Sequence, residues 1–272
     1  MSDALEFITL RHDAAQVTIA PERGAIVTSF RTGEREWLYL DQATLNDRSK
    51  NVRGGIPLLF PTPGKLENDR WSRAGKTGTL TQHGFARNLA WAIDARSESH
   101  VTLSIRADDK TLASYPWRFS ANVTYALASN ALDIRFDIVN EDTSTMPFAL
   151  GLHPYFLARD KASARVPTSA SCAYDNVMKR DVPFRGFDFT RGEVDIHLLD
   201  HDSSSAQLAV DGGALSIDCS PEFQRWVIWT LPGKDFICVE PWSAPGNALN
   251  SGEDLMELAP GATYQGIVRI TV

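Results

Sequence analysis

Three residues in this sequence interrupt apolar or turn-rich stretches and carry side chains suited to proton transfer. Glu240 follows four apolar residues in Phe-Ile-Cys-Val-Glu240-Pro-Trp, His153 ends the run Phe-Ala-Leu-Gly-Leu-His153-Pro, and His83 lies in Gln-His83-Gly-Phe. Burial penalises a carboxylate, so Glu240 must be paired or have a raised pKa, which suits a general base near neutral pH. A histidine titrates in the same range and suits the matching acid. The residue types therefore predict acid–base chemistry.

Two arginines lie in the same or comparable motifs. Arg53 lies in Asn-Val-Arg53-Gly-Gly-Ile-Pro, a rigid loop sequence, and Arg87 ends the His83 motif. An arginine fork matches the oxygens of a phosphate or carboxylate. Because the chain has a net charge of −7, any anion must be held by a few such placed cations.

Each candidate also has a purely structural interpretation. Glu240 can belong to an ion pair with an arginine, and His153 can be a core histidine bonded to a backbone carbonyl. Arg53 can be an ordinary solvated arginine. Long stretches of chain separate the candidates, so only the fold can bring them together.

The elements that must position these residues are β-strands. Alternating apolar and polar residues predict half-buried strands, and continuous apolar runs predict strands buried on both faces. The first kind is predicted at 101–105, 119–127, 132–138, 215–219 and 264–272, and the second at 226–231 and 236–239. Short helical turns are expected within 34–45 and 108–115, and no longer amphipathic helix is predicted.

Many closely spaced strands without strand–helix alternation are typical of a large antiparallel β-sandwich. No linker or composition shift divides the 272 residues, and all-β domains often reach about 250 residues. We therefore expect an all-β fold and a single domain over residues 1–272.

Composition and charge exclude several classes of protein. An acidic chain without a basic stripe is not expected to bind nucleic acid. The opening segment lacks the pattern of a signal peptide, and no apolar run approaches the roughly 20 residues that cross a bilayer. The three cysteines are an odd number without close spacing, which predicts neither a disulfide framework nor a CxxC metal site. We expect a cytoplasmic protein that does not bind membranes.

Four blocks of the sequence, in this order, resemble the aldose 1-epimerase (mutarotase) family. They are Arg53-Gly-Gly-Ile-Pro, His83-Gly-Phe-Ala-Arg87, Leu-His153-Pro-Tyr-Phe and Val-Glu240-Pro-Trp. The first two are similar in particular to the hexose-6-phosphate 1-epimerase branch. The resemblance extends over nearly the whole chain. It implies a galactose mutarotase-like supersandwich, a large antiparallel β-sandwich with the sugar site on the concave face of one sheet.

The resemblance also implies a role for individual residues. Glu240 matches the base that removes the proton of the sugar C1 hydroxyl, and His153 matches the acid that protonates the ring oxygen. His83 matches a second histidine that assists at that oxygen. Asp195, in Gly-Glu-Val-Asp195-Ile, matches a substrate-binding aspartate.

In the sugar-phosphate branch, arginines matching Arg53 and Arg87 hold the phosphate. The chain departs from that branch after Phe60-Pro61, where it reads Thr-Pro-Gly-Lys65-Leu in place of an aromatic-Gly pair. This departure leaves open whether the sugar is phosphorylated.

The implied activity is the interconversion of α and β anomers of an aldohexose or hexose 6-phosphate, without metal or other cofactor. A carboxylate base and a protonated histidine would open the sugar ring and close it on its other face. We expect a small-molecule sugar or sugar phosphate as partner and a monomer or weak homodimer.

Two other functions remain open. The same sandwich can serve a carbohydrate-binding protein without catalysis. A zinc-dependent hydrolase can use His83, His153 and Glu240 as ligands, although no local HxH or HExxH pair is present.

Overall fold

Antiparallel β-strands dominate the computed structural model, which describes residues 5–272. The strands are β1 (Ile8–His12), β2 (Ala15–Ala20), β3 (Ile26–Thr32), β4 (Arg35–Glu36), β5 (Leu58–Leu59), β6 (Arg70–Arg73), β7 (Lys76–Thr79), β8 (Ala92–Arg96), β9 (His100–Arg106), β10 (Phe119–Leu127), β11 (Ala131–Asn140), β12 (Met146–Phe148), β13 (Gly151–Leu152), β14 (Tyr155–Leu157), β15 (Cys172–Asp175), β16 (Arg180–Pro183), β17 (Val194–Leu198), β18 (Ser205–Val210), β19 (Gly213–Cys219), β20 (Arg225–Thr230), β21 (Phe236–Trp242), β22 (Met256–Leu258) and β23 (Thr263–Thr271). The α-helices are α1 (Gln42–Asn46), α2 (Asp109–Ser114) and α3 (Ala248–Ser251). Within the described residues, no helix is long and apolar enough to cross a membrane.

Two large sheets form the framework. One has the strand order β18-β19-β23-β11-β10-β9-β8, and the other has β16-β15-β17-β20-β21-β13-β5 with β14 also paired to β21. A four-stranded sheet, β1-β2-β3-β4, and the pairs β12-β22 and β6-β7 complete the fold. Every ladder between these strands is antiparallel. The predicted all-β antiparallel sandwich is confirmed.

Alternation along the strands determines the core. On β10 every second residue from Ala121 to Leu127 is buried, and Val123 pairs with the buried Phe136 of β11. One hydrophobic cluster includes residues of all three larger sheets and extends from Ile8 to Ile270. A single domain over residues 1–272 stays a prediction, which this continuous core supports.

The strand that carries Glu240 is longer than the sequence predicted. The apolar segment 236–239 lies in β21, but β21 continues to Trp242, and Glu240 faces Val227 of β20 in the ladder. The expectation that Glu240 ends a strand is therefore wrong. β20 runs alongside β21 as far as Trp242, so the backbone hydrogen bonding continues past the carboxylate.

The apolar run before His153 is not one strand either. β12 pairs with β22, whereas β13 pairs with β5 and β21. The chain thus changes sheets between Phe148 and Gly151. His153 directly follows β13 and so lies at the end of a short strand.

The segment that carries His83 is pressed against the end of β5. The backbone N–H groups of Phe85 and Ala86 both donate to the carbonyl oxygen of Phe60, at 3.0 and 3.2 Å. Gly84 has a φ of +69°, and a Cβ at that position would lie 2.3 Å from the same oxygen. Only glycine fits this approach, and His83 is positioned by it.

We expect Gly84→Ala to lower the free energy of unfolding by about 2–5 kcal/mol. A left-handed residue with a side chain costs roughly 1–2 kcal/mol, and overpacking against Phe60 adds roughly 1–3 kcal/mol. Gly75→Ala is the matched control, because Gly75 has a φ of +75° and a Cβ there would meet no described atom within 4 Å beyond its chain neighbours. This variant should lose only about 1–2 kcal/mol. Urea unfolding measures both variants, and equal losses would contradict the close approach at Phe60.

Candidate active site

A cleft of about 720 Å³ opens on the face of the eight-stranded sheet, where β15, β17, β20 and β21 each contribute lining residues. All six residues predicted from the sequence line this cleft. They are Arg53, His83, Arg87, His153, Asp195 and Glu240. The fold therefore brings together candidates that lie far apart in the sequence.

Glu240 lies on the cleft floor and is 1% exposed. Its Oε2 accepts a hydrogen bond from Trp242 Nε1 at 3.1 Å, and its Oε1 is 3.4 Å from Nδ1 of His153. Burial raises the pKa of Glu240 well above its ordinary value, the charge of Asp195 raises it further, and the Trp242 hydrogen bond opposes both. Among residues 5–272 no arginine pairs with this carboxylate, so the structural ion pair considered above is not found.

His153 is buried between aromatic rings. It stacks on Tyr155 with ring centroids 4.6 Å apart and meets the edge of Trp229 at 5.5 Å. Its Nδ1 is buried and makes no hydrogen bond within residues 5–272, which removes the interpretation of this nitrogen as bonded to a backbone carbonyl. Burial lowers the pKa of His153 to about 3, and the charges of Arg87 and Arg53 act in the same direction.

In the unliganded protein burial thus favours the neutral imidazole of His153, whereas the sequence predicted an imidazolium. Burial favours the neutral form of both Glu240 and His153. Oε1 of Glu240 and the unpartnered Nδ1 of His153 then lie 3.4 Å apart in the described chain. The two groups titrate as a coupled pair and not as independent residues.

His83 packs edge-on against His153 and Trp242, with centroid distances of 5.5 and 5.6 Å. Its Nδ1 accepts a hydrogen bond from the backbone N–H of Gly64 at 3.0 Å. The neutral ring therefore carries its proton on Nε2, which lies 3.2 Å from the side-chain amide of Gln82. Burial lowers the pKa of His83 well below its ordinary value, with His153 adding to the effect, so His83 is a neutral hydrogen-bond donor.

Two arginines and a lysine place positive charge in the cleft. The exposed Arg53 lies over the ring of Trp229, with its guanidinium carbon 5.4 Å from the ring centroid. Arg87 donates to the carbonyl oxygen of Gln82 at 2.9 Å, whereas its Nε is buried without an acceptor among the described residues. Lys65, from the segment that departs from the family pattern, also lines the cleft. A buried N–H without a partner is costly, so an anion near Arg87 would be favourable.

The opposite side of the cleft presents hydrogen-bonding groups around Asp195. Asn176 Nδ2 donates to Asp195 Oδ2 at 2.6 Å, and His197 Nε2 lies 3.5 Å from Oδ1. His197 also meets the edge of Trp242 at 5.4 Å. Asp195 is thus held in one orientation with its carboxylate at the cleft wall.

Asn176, His197 and Trp229 are among the cleft residues that the sequence did not identify. His197 follows Asp195 by two positions on β17, so strand alternation placed it on the same face and was a usable signal. Asn176 lies just after β15, and no local pattern connected it with Asp195. Trp229 stood in a predicted strand, but nothing showed which face it occupied.

A family model described as aldose 1-epimerase matches residues 6–271 of the chain. A relative from Cenchrus ciliaris, provisionally named glucose-6-phosphate 1-epimerase, is 26% identical over 91% of this chain and 79% of its own length.

Solved structures give the same result for the fold. The Slr1438 protein of Synechocystis sp. PCC 6803 superimposes with a TM-score of 0.95 at 33% identity, covering 99% of this chain and 96% of its own. A galactose mutarotase-like protein from Lactobacillus casei superimposes with a TM-score of 0.80 at 24% identity, covering 98% and 99%. The expected mutarotase-like sandwich is confirmed.

The buried carboxyl predicts how stability changes with pH. Because folding raises the pKa of Glu240, the folded protein keeps this proton where the unfolded chain has lost it. The contribution of Glu240 is therefore full below about pH 4.3, the pKa of an unfolded glutamate, and is lost as the pH rises through the raised value. We expect Glu240→Gln to raise the thermal midpoint relative to wild type, and to do so more at pH 7.5 than at pH 4.

Differential scanning calorimetry at the two pH values makes this comparison. Glu98→Gln is the control, because Glu98 is exposed on the turn between β8 and β9 and should show no pH-dependent gain. A Glu240→Gln effect of the same size at both pH values would mean that Glu240 is not perturbed by burial.

Proposed function

The chain belongs to the aldose 1-epimerase family of sugar epimerases, and on that basis we propose that it interconverts the α and β anomers of a hexose 6-phosphate by opening and closing the ring at C1. The observation that carries this proposal is a buried carboxyl and a buried imidazole 3.4 Å apart, Glu240 and His153, on the floor of a cleft that also contains free cationic groups. Such a pair supplies a base and an acid to one small substrate.

Ring opening needs two proton movements. Glu240, as the carboxylate, takes the proton of the C1 hydroxyl while His153 delivers a proton to the ring oxygen O5. The C1–O5 bond breaks and leaves an open-chain aldehyde. After rotation about C1–C2 the ring closes on the other face, and the two residues exchange roles. Holding both groups against one sugar removes the entropic cost of bringing them together.

The pair can provide both reactive forms from a single proton. In the neutral state Glu240 carries the proton, and its transfer from Oε1 to His153 Nδ1 produces the carboxylate and the imidazolium together. The net charge of the pair does not change, which limits the cost of the transfer in a buried site. His83, with its proton on Nε2, assists by donating a hydrogen bond at the ring oxygen.

The cations support a phosphorylated sugar. A net charge of −7 repels a dianion over the whole molecule, so local cations are required. Arg53 and Arg87 lie close enough to the acid–base pair to lower the pKa of His153 by their charge. Among residues 5–272 the buried Nε of Arg87 has no acceptor, and a phosphate oxygen satisfies it with a charge-assisted hydrogen bond.

Anomer-resolved NMR tests the proposal directly. Freshly dissolved α-glucose 6-phosphate, α-glucose and α-galactose are followed with and without the protein. We expect equilibration of the 6-phosphate to be accelerated most. A protein that binds these sugars but leaves their spontaneous rates unchanged would be a carbohydrate-binding protein, and the proposal would be wrong.

We expect Glu240→Gln and His153→Asn each to lower kcat by at least the ~10²-fold typical of a lost general base or acid. His83→Asn should cost less, because its role is to donate a hydrogen bond. Glu98→Gln is the control for an uninvolved carboxylate. The same NMR assay measures all four variants, and near wild-type turnover in a folded Glu240→Gln protein would exclude its role as the base.

We expect Arg87→Ala to raise KM for glucose 6-phosphate at least about tenfold, because a hydrogen bond to a charged group contributes about 1.5–3 kcal/mol. KM for glucose should change little. Arg96→Ala, at an exposed position on β8, is the control for a lost positive charge. If Arg87→Ala raises both KM values equally, the arginine shapes the cleft or binds sugar hydroxyls and does not hold a phosphate.

A further inference from the structure

The thiol of Cys238 lies beside the acid–base pair and is the third side chain there that is of a metal-binding type. Cys238 precedes Glu240 by two positions on β21, so both side chains point to the same face of the sheet. Its partner across the ladder is Tyr155, two residues after His153. One ligand atom from each of His153, Cys238 and Glu240 lies within 4.8 Å of the other two, and all three residues are buried.

The distances in this trio are close to those of a tetrahedral metal site. Zinc bonds of about 2.1 Å to nitrogen and oxygen place those two ligands roughly 3.4 Å apart, and His153 Nδ1 and Glu240 Oε1 are 3.4 Å apart. With a bond of about 2.3 Å to sulfur, the thiol must move by no more than roughly 1 Å. Nδ1 of His153 is buried without a hydrogen-bond partner in the described chain, so its lone pair is available.

We propose that His153, Cys238 and Glu240 form a binding site for one thiophilic divalent cation of the zinc and cadmium class, and that the bound ion blocks the acid–base pair. A thiolate beside an imidazole and a carboxylate is a donor set for such ions and not for magnesium or calcium. As the ion binds, the thiol proton of Cys238 and the carboxyl proton of Glu240 both leave to solvent. His153 and Glu240 line the cleft, which supplies water to the fourth position.

The site differs from the zinc alternative considered from the sequence. That alternative used His83. Nδ1 of His83 accepts the Gly64 N–H, and its Nε2 carries the ring proton, so neither nitrogen offers a free lone pair to a metal ion. Cys238 takes the third position instead. The bound ion occupies the lone pairs of the Glu240 oxygen and the His153 nitrogen, between which the proton of the pair moves. The ion therefore acts as an inhibitor.

Co²⁺ is the spectroscopic probe. The full-length protein is treated with a chelator, dialysed and titrated with Co²⁺. We expect one ion per chain, a thiolate-to-cobalt charge-transfer band in the near ultraviolet, and loss of that band when Zn²⁺ or Cd²⁺ is added. Cys238→Ser should lose the band and weaken Zn²⁺ binding by more than about 100-fold, since even residues one shell further out typically contribute 10- to 100-fold.

Cys172→Ser is the matched control, because Cys172 is half-buried on β15 and lies outside the trio. It should keep the band and the affinity. No binding, binding without a thiolate band, or an unchanged Zn²⁺ affinity in Cys238→Ser would each overturn the proposal. If Cys238→Ser does not fold, the band and stoichiometry of the wild type, and their loss in Glu240→Gln, decide the question.

Inhibition is measured separately in the anomer assay, where Zn²⁺ should abolish turnover and a chelator should restore it. Zn²⁺ bound at the trio without loss of turnover would contradict the inhibitory role. Because the cobalt spectrum does not depend on turnover, a failed metal site and a failed epimerase assignment give different results.

Discussion

The burial of Glu240 beside His153 is the constraint on which the rest of the cleft depends. A carboxyl at 1% exposure is almost without water and has an indole N–H and an imidazole nitrogen as close polar neighbours. The sheet fixes this position, because β21 pairs with β20 both before and after Glu240. Trp242 reaches the carboxyl since side chains two apart on a strand share a face. The pairing of β21 with β20 therefore places Glu240 in an environment that disfavours its ionised form.

The other side chains adjust to this pair. Tyr155 and Trp229 enclose His153 and exclude water from it. Burial therefore favours the neutral imidazole of His153, just as it favours the neutral carboxyl of Glu240. The Gly64 N–H fixes the tautomer of His83. Arg87 places a positive charge near this pair, and its Nε has no acceptor among the described residues. The unliganded cleft thus combines a buried pair whose neutral forms are favoured with the cations Arg53 and Arg87. A substrate that supplies both hydroxyl and phosphate is complementary to both.

Much of the fold could be read from the sequence, because alternation on strands such as β10 directly reports which side chains are buried. Glu240 was recognisable for the same reason, as a carboxylate among apolar residues. The change of sheet between β12 and β13 could not be recognised from the sequence, because it depends on which distant strands each of them pairs with. The neutral state of His153 also could not be predicted, because its burial and the nearby arginines come from other parts of the chain. Cytoplasmic location, oligomeric state and the roles of the site residues stay predictions.

The most direct measurement is the titration of the Glu240 carboxyl in the unliganded protein. Glutamate labelled with ¹³C at Cδ is followed by NMR across the pH range, and the spectrum of Glu240→Gln assigns the signal. The account predicts one carboxyl that titrates clearly above the usual glutamate range of about 4.2 ± 0.9 and is absent from Glu240→Gln. A Glu240 signal that titrates within or below that range would contradict it.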